Sequence, residues 1–532
     1  MIGADAIVKC LEEEGVKYVF GYPGVAICPF YNSILDSGIQ TILIRTEQNA
    51  AHAASGLARV TGKVGVCAVT SGPGATNLIT GVATAFADSI PLVCITGQVD
   101  SSLLGSDVFQ EADITGAVES FVKYSYLVKK VSDIPRIMKE AFYIANTGRK
   151  GPVLIDIPID VQNAELKKFA YSESVSMRTY KPTVKGNMVQ IKKVIHELED
   201  CKRPIICAGG GVLLADAKEE LQEFAMKHDI PVVSTMMGIG VMPTEHPLYY
   251  GMVGNNGKPC ANRAMNEADL IIMVGARVAD RAISQPDLIT ENKVLIHIDV
   301  DPAEIGKNVG PGIPLVGDAK HIFKDLLSQE LHVEHKDWLD TLNDYRVSMV
   351  PKRNPNPAYV DPAKFIELLS RAMDEDAVYV ADVGQNQMIS ARYFKYSKER
   401  SIITSGGLGT MGFGLPAAIG ATFGAPERTV CVFMGDGGLQ MNIQELGTIM
   451  EQKAPVKIIC LNNNFLGNVR QWQAMFFNRR YSFTPMLNPD YMKIASAYDI
   501  PSKRVYSREE LKVAIDEMLA TDGPFLLEAC VE

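Results

Sequence analysis

The chain has 532 residues, 47% of them hydrophobic and 21% charged, with a formal net charge of −10. That length exceeds one ordinary hydrophobic core and predicts about three domains. The composition excludes a disordered chain, and the acidic balance leaves no basic footprint for nucleic acid or anionic lipid. The ten cysteines are scattered, never form a C-x-x-C pair and lie mostly in apolar runs, which reads as core packing in a reducing compartment. The sequence opens without a signal-peptide pattern and has no run of about 18 apolar residues, so a cytoplasmic protein that does not span a membrane is expected.

Short apolar runs alternate with longer helical stretches, the pattern of parallel sheets covered by helices. In the first third, strands are predicted at 18–20, 40–44, 64–70, 92–96 and 153–157, with helices over 47–61 and 74–87. The second third repeats the scheme at 204–207, 232–234, 270–274 and 294–299, and the last at 377–381, 429–434, 456–461 and 525–530. Two polar stretches, about 165–186 and 351–361, read as linkers. The expected fold class is α/β, with three consecutive doubly wound parallel-sheet domains over residues 1–170, 187–345 and 360–532.

The motif with most chemical content is Gly435-Asp436-Gly437-Gly438, followed 27 positions after the aspartate by Asn463 in Asn462-Asn463-Asn464-Phe465. Both elements end predicted strands, where open α/β sheets place ligands. The glycines let backbone approach a diphosphate, and Asp436 with an asparagine offers hard oxygen ligands to Mg²⁺. Alone, Gly-Asp-Gly is an ordinary strand-end turn. Joined to the asparagines through a helical stretch at 441–451, it forms one βαβ unit and becomes specific.

A second glycine-rich stretch, Ser405–Pro416, contains Gly409 and Met411 and opens a helical run whose amides suit an anion. A dinucleotide fingerprint is the weaker rival there, because no predicted strand leads into Gly406. Gly384, Gln385 and Asn386 end another predicted strand and can reach the same phosphates. Glu47 starts an alanine-rich helix after a strand, which by itself reads as an acid favoured by the helix macrodipole.

These motifs are accompanied, in collinear order, by Gly21-Tyr22-Pro23-Gly24, Thr70-Ser71-Gly-Pro-Gly74-Ala-Thr-Asn77, Ile95-Thr-Gly97-Gln98-Val99, Phe109-Gln110-Glu111 and Gln471-Trp472-Gln473. Together they resemble the thiamine diphosphate (ThDP)-dependent 2-keto acid enzymes over the whole chain, and within them the acetohydroxyacid (acetolactate) synthase catalytic subunits. The resemblance implies ThDP and Mg²⁺ as cofactors, decarboxylation of pyruvate, and transfer of the hydroxyethyl unit to a second 2-keto acid. Glu47 is implied to hydrogen-bond N1′ of the aminopyrimidine and favour the imino tautomer that removes the thiazolium proton. Asp436, Asn463 and the Phe465 carbonyl match metal ligands, and Met411 matches the apolar wedge that keeps the cofactor bent. Pro23, Gly24, Thr70, Asn77, Gly384, Gln385, Asn386, Gly409, Gly435, Gly437 and Gly438 match cofactor contacts.

For the acceptor, Phe109 and Gln110 match pocket residues, Trp472 the residue that packs on the second 2-keto acid, and Arg277 the one that pairs its carboxylate. The plainer readings are a buried core aromatic for Trp472 and a surface or flavin-adjacent ion pair for Arg277. The family binds the pyrimidine on one subunit and the diphosphate on another, so the resemblance implies a homodimer at minimum and favours a tetramer.

The sequence departs from the family's pattern at Val25, Ile159, Asn386 and Asn468, around the reacting groups, and at Val253, Val278 and Ala279 in the middle third. Family members usually continue into a tail that covers the site, where this sequence stops at Glu532. These departures leave the ThDP machinery and alter the acceptor pocket, so a related lyase or decarboxylase using a keto-sugar or aldehyde acceptor, with or without flavin, stands as the alternative. Gly209, Gly210 and Gly211 after one strand, and Asp299 and Asp301 after another, leave FAD open.

Overall fold

The computed structural model describes every residue except Pro311, Asn354 and 398–401. Among the described residues, eighteen strands form three six-stranded sheets built on parallel pairs. The first holds β1 (Tyr18–Tyr22), β2 (Gln40–Leu43), β3 (Gly65–Val69), β4 (Leu92–Gln98), β5 (Tyr124–Leu127) and β6 (Pro152–Pro158), in the order 2-1-3-4-6-5. The second holds β7 (Pro204–Ala208), β8 (Val232–Ser234), β9 (Tyr249–Met252), β10 (Leu270–Val274), β11 (Val294–Asp299) and β12 (Ile313–Val316), in the order 12-11-10-7-8-9. The third holds β13 (Val378–Ala381), β14 (Ile402–Thr404), β15 (Val430–Gly435), β16 (Val456–Asn462), β17 (Ser502–Val505) and β18 (Phe525–Cys530), in the order 14-13-15-16-18-17.

Sequence reading misses β5, β9, β12, β14 and β17, and each of these is an edge strand. Central strands such as β3 and β4 are buried at every residue, so they read as continuous apolar runs. The edge strands β5, β12 and β17 bury at most one residue each and carry no such signal.

The predicted linker at 165–186 falls between the helices Ile159–Asn163 and Met188–Asp200, without helix or strand of its own. The second, at 351–361, separates the helices Lys336–Ser348 and Pro362–Ala372, with Asn354 outside the described residues. The chain divides into two compact units. One gathers Met1–Lys181, Ala377–Asn386 and Ile403–Val531, with the first and third sheets; the other gathers Pro182–Asp376 and Gln387–Ile402, with the second sheet.

Within the first unit, the helix Glu47–Thr61 lies against the helix Gly414–Gly424. Their backbones approach so closely that a Cβ on Gly420 would sit 1.7 Å from the Ala53 carbonyl oxygen, and one on Gly56 2.0 Å from that of Ala417. Small residues are therefore obligatory at this crossing, which explains the alanine-rich composition of the Glu47 helix. Gly420→Leu is expected to destabilise the protein by about 3 kcal/mol, read as a lowered midpoint in thermal or urea unfolding.

Two local expectations are corrected. The stretch 441–451 is not one helix: a helix over Asp436–Met441 gives way at Asn442 to a 3₁₀ turn, Ile443–Glu445, and a new helix, Leu446–Gln452. Asn442 is drawn out of helical register, its amide donating to the Gly412 carbonyl at 2.6 Å. A strand does lead towards Gly406, namely β14, which was illegible because it is a three-residue edge strand.

Candidate active site

At the C-terminal ends of β1 and β3, five predicted residues converge. Glu47 is the first residue of its helix, and its carboxylate accepts a bond from the Asn77 amide at 3.0 Å. A Cβ on Gly24 would lie 2.5 Å from Thr70 Cβ, and one on Gly74 2.7 Å from Thr70 Cγ2 and 3.4 Å from Glu47 Oε1, so Gly24, Thr70, Gly74 and Glu47 pack into one cluster. The Thr70 hydroxyl is buried there and has no hydrogen-bond partner. A buried hydroxyl in that condition is costly, and a ligand's polar group would relieve it.

Gln110 reaches the same cluster. Its backbone adopts φ +61° and packs against Gly72, itself at φ +57°, where a Cβ would come within 2.9 Å of Gln110. Gly72 begins the helix Pro73–Ala87 that supplies Asn77. Left-handed backbone at a non-glycine residue costs free energy and is concentrated at functional loops. The neighbouring Phe109 is 87% exposed, Val25 is 77% exposed and Pro23 is exposed, so these side chains face outward from the cluster.

Behind the loop, Asp156 on β6 is buried and accepts bonds from the Thr96 hydroxyl at 2.6 Å and the Gln98 amide at 2.9 Å. Gln98 also donates to the Ala112 carbonyl, two residues beyond Gln110. Burial pushes the Asp156 carboxyl up to about 7 from the usual aspartate value of 3.8. The folded chain then keeps a proton that the unfolded chain has released, so stability falls as pH rises from about 4 to about 7 and is level above. Asp156→Asn can accept from Gln98 and donate to the Thr96 hydroxyl without carrying charge. It is expected to flatten that slope and to raise stability at pH 8 by roughly 2–4 kcal/mol, measured by urea unfolding across the pH range.

The second cluster lies at the ends of β15 and β16. Asp436 is 2% exposed; one carboxylate oxygen accepts the Gly437 N–H at 3.0 Å and the other the Asn488 amide at 2.7 Å. The same Asn488 nitrogen lies 2.9 Å from Asn462 Oδ1 and 3.1 Å from Asn464 Oδ1, so one amide ties Asp436 to the asparagine loop. Gln440 and Tyr491 in turn donate to Asn488 Oδ1 at 2.5 and 3.3 Å. Asn488 carries no motif of its own and was missed in the sequence; its 52-residue separation from Asp436 leaves no local signal.

Asn463 Oδ1 accepts the Phe465 N–H at 3.0 Å. The loop pairs with 484–486 through Leu466 N–H to the Thr484 carbonyl and Met486 N–H to the Asn464 carbonyl, and neither bond uses the Phe465 carbonyl. Asp436, Asn463 and that carbonyl make an all-oxygen donor set suited to a hard divalent cation. Burial pushes the Asp436 carboxyl up, against its hydrogen bonds with Asn488 and Gly437. A cation would offset that desolvation. Gly437 sits under an apolar cover: a Cβ there would lie 2.7 Å from Leu466, 3.2 Å from Met486 and 3.6 Å from Met411. Gly435 and Gly438 complete the turn, and a Cβ on Gly438 would lie 2.0 Å from Asp382 Oδ2.

The glycine-rich stretch turns out to spend many of its amides on the protein's own carboxylates rather than leaving them for an external anion. Gly406 and Gly407 donate to Asp88 at 3.3 and 2.6 Å, and Gly412 and Gly414 to Asp382 at 3.2 and 3.0 Å. Asp88 is paired with Arg59 at 2.6 Å, both buried, and burial pushes the Asp382 carboxyl up to about 6. The loop is thus clamped on both sides of Gly409 and Met411, which holds Met411 over Gly437. Gly384, at φ +148°, lets Asn386 turn back and donate to the Asp382 and Phe433 carbonyls at 2.6 and 3.1 Å. Gln385 reaches Gln471 at 3.5 Å and packs on Gly467.

Asn468 and Trp472 lie on the helix Gly467–Phe476, which buries none of its residues. Trp472 is 56% exposed and its ring lies 4.4 Å from that of Phe476, so it is no core aromatic within this chain. In the other unit, Arg277 is exposed, and Val278 is buried in the hydrophobic core. Gly209 and Gly211 donate their amides to the Val274 and Gly275 carbonyls, and a Cβ on Gly209 would lie 2.2 Å from the Gly275 oxygen. Gly210 opens a helix of only five residues. The Asp299 and Asp301 carboxylates accept the N–H groups of Asp301 and Ala303. The Gly209 and Gly211 amides are thus spent on the chain's own carbonyls.

Three family models match the chain: the thiamine pyrophosphate enzyme N-terminal TPP binding domain over residues 1–117, the central domain over 191–326 and the C-terminal TPP binding domain over 382–529. Thiamine pyrophosphate is ThDP by its other name. The outer two matches carry the two clusters just described, so fold and site define a thiamine pyrophosphate enzyme. The probable acetolactate synthase large subunit of Methanocaldococcus jannaschii is 44% identical, covering 100% of this chain and 92% of the relative. The acetolactate synthase isozyme 3 large subunit of Escherichia coli K12 is 44% identical over 97% of this chain and 92% of its own, and the large subunit of Lactococcus lactis 41% over 99% and 92%. The chain belongs to the acetolactate synthase large-subunit family. No helix among its described residues is long and apolar enough to cross a membrane.

Proposed function

We propose that this chain decarboxylates pyruvate and joins the resulting two-carbon unit to the keto carbon of a second 2-keto acid, using ThDP and Mg²⁺. The observation that carries this reading is the cluster at Glu47, where a helix-start carboxylate held by Asn77 and the buried, unpartnered Thr70 hydroxyl both lie beside Gly74. Asp436, Asn463 and the Phe465 carbonyl would hold the metal, and the Gly435–Gly438 turn the diphosphate. When bound, ThDP supplies an electron sink for the carbon that loses its carboxylate. Glu47 shares a proton with the bound pyrimidine at its N1′ position. Met411, Leu466 and Met486 exclude water from the diphosphate side. In balance, the bond to the pyruvate carboxylate breaks and CO₂ leaves; its former keto carbon then bonds to the acceptor's keto carbon, whose oxygen takes a proton. No step is assigned to a flavin.

The reading includes a second copy of the chain. Among the described residues, the Glu47 carboxylate hydrogen-bonds to Asn77 and not to Asp436, Asn463 or Phe465. Val469, Trp472, Met475, Phe476, Phe483 and Leu487 leave an apolar surface exposed beside the asparagine loop. A homodimer that brings Glu47 of one chain to the metal cluster of the other would complete the site, and a tetramer of such dimers follows the family resemblance. From the family resemblance, Trp472 is proposed to pack on the acceptor and Arg277 to pair a substrate carboxylate, and Val25, Phe109, Gln110 and Asn468 are each proposed as substrate contacts.

Product analysis by mass spectrometry tests the reading, with labelled pyruvate, ThDP, Mg²⁺ and a panel of acceptors. Acetolactate from pyruvate alone is the expected product. Turnover only when an aldehyde or keto-sugar is supplied would replace it with the alternative that Val25, Ile159 and Asn468 raise, and acetaldehyde as sole product would reject carboligation.

A further inference from the structure

Glu445 belongs to none of the motifs, yet it is fully buried. One of its carboxylate oxygens accepts the Arg45 backbone N–H at 3.0 Å and the Asn49 side-chain amide at 2.8 Å. These two residues stand two places before and two places after Glu47. The Thr448 hydroxyl lies 2.9 Å from the other carboxylate oxygen and 3.0 Å from the Leu43 carbonyl, at the end of β2. Asn49 also donates to Asn442 at 2.9 Å. The strand end and helix start that carry Glu47 are thus gripped from outside, by residues about 400 positions away in sequence.

The grip matters because the helix lacks its own. Thr46, at the N-cap, makes no side-chain capping bond, so the first turn is not held by the usual local device. A buried carboxylate is expensive unless its lone pairs are used, and burial indeed pushes the Glu445 carboxyl up while Asn49, Thr448 and Arg45 oppose that shift. Arg45 also pairs with Glu451 at 2.7 Å, but that contact is more exposed and holds only a side chain.

We propose that Glu445 is a positioning residue for Glu47, setting the backbone before it and the helical turn after it through Arg45 N–H and Asn49 Nδ2. This rests on the reading of Glu47 as the acid that activates the cofactor. A carboxylate that must meet one pyrimidine nitrogen tolerates little displacement, since misplacement of about 1 Å can cost a hundredfold in rate.

The test follows hydrogen–deuterium exchange at the thiazolium C2 of bound ThDP in the holoenzyme, by quenched-flow NMR, alongside kcat, KM and ThDP affinity. Glu445→Ala and Asn49→Ala are expected to slow exchange and kcat by about tenfold or more, with KM and ThDP affinity within about twofold. Glu445→Gln, which keeps an acceptor oxygen, is expected to recover part of that loss. Glu451→Gln is expected to leave exchange unchanged. Wild-type exchange in folded Glu445→Ala and Asn49→Ala proteins overturns the proposal. If Glu445→Ala fails to fold, Asn49→Ala, which leaves Glu445 its bonds to Arg45 and Thr448, decides alone. Glu47→Gln separates the two levels: unchanged exchange in that variant removes the reading of Glu47 itself, whereas lost exchange there with wild-type rates at 445 and 49 removes only the positioning role.

Discussion

Replacing Glu47 by glutamine is expected to lower pyruvate turnover by at least about a hundredfold while leaving ThDP affinity within a few-fold. The substitution keeps the size of the side chain and an oxygen that can accept from Asn77, which holds Glu47 at 3.0 Å. What it removes is the capacity to share a proton in the cluster that holds the unpartnered Thr70 hydroxyl. Steady-state pyruvate consumption and a ThDP titration in the same buffer separate the two effects. If turnover survives within about tenfold, Glu47 is only a helix-start acid of the kind the macrodipole favours. If affinity collapses together with turnover, its part is in holding the cofactor and not in activating it.

Asp436→Ala is expected to weaken Mg²⁺-dependent ThDP binding by about a hundredfold or more. Among the three proposed donors it is the one with formal charge; Asn463 and the Phe465 carbonyl supply dipoles alone. The apo protein should not suffer in proportion. Asp436 is buried at a cost, as the upward shift of its carboxyl indicates, and Asn488 retains Asn462 and Asn464 as acceptors when it goes. Thermal unfolding without metal is therefore expected to shift little, and the loss to appear only when ThDP and Mg²⁺ are titrated together. An equal drop in apo stability would assign Asp436 to the architecture of the β15 turn instead of to the cation.

Much of the fold is legible before any coordinates. The central strands announce themselves because burial on both faces demands unbroken apolar runs, as at β3 and β4. The Glu47 helix is legible from its small residues, and the crossing of Gly56 and Gly420 supplies their reason. The edge strands β5, β12 and β17 stay hidden for the opposite cause, since half-exposed stretches such as Ser502–Val505 look like loops. The motif clusters were found because glycines and oxygen donors at strand ends are local signals; Asn488, Asp88 and Glu445 emit none.

What the sequence determined by itself is the class of fold, the order of its three sheets and the residues at the strand ends, because hydrophobic periodicity and turn chemistry act over a few neighbouring positions. Tertiary structure alone decided who holds those residues. It gave the glycine-rich stretch's amides to Asp88 and Asp382, tied the asparagine loop to Asp436 through Asn488, and set the Glu47 turn on Glu445. Each of those bonds joins residues between about 30 and 400 positions apart, a separation at which no local pattern survives and only the packed fold selects the partner.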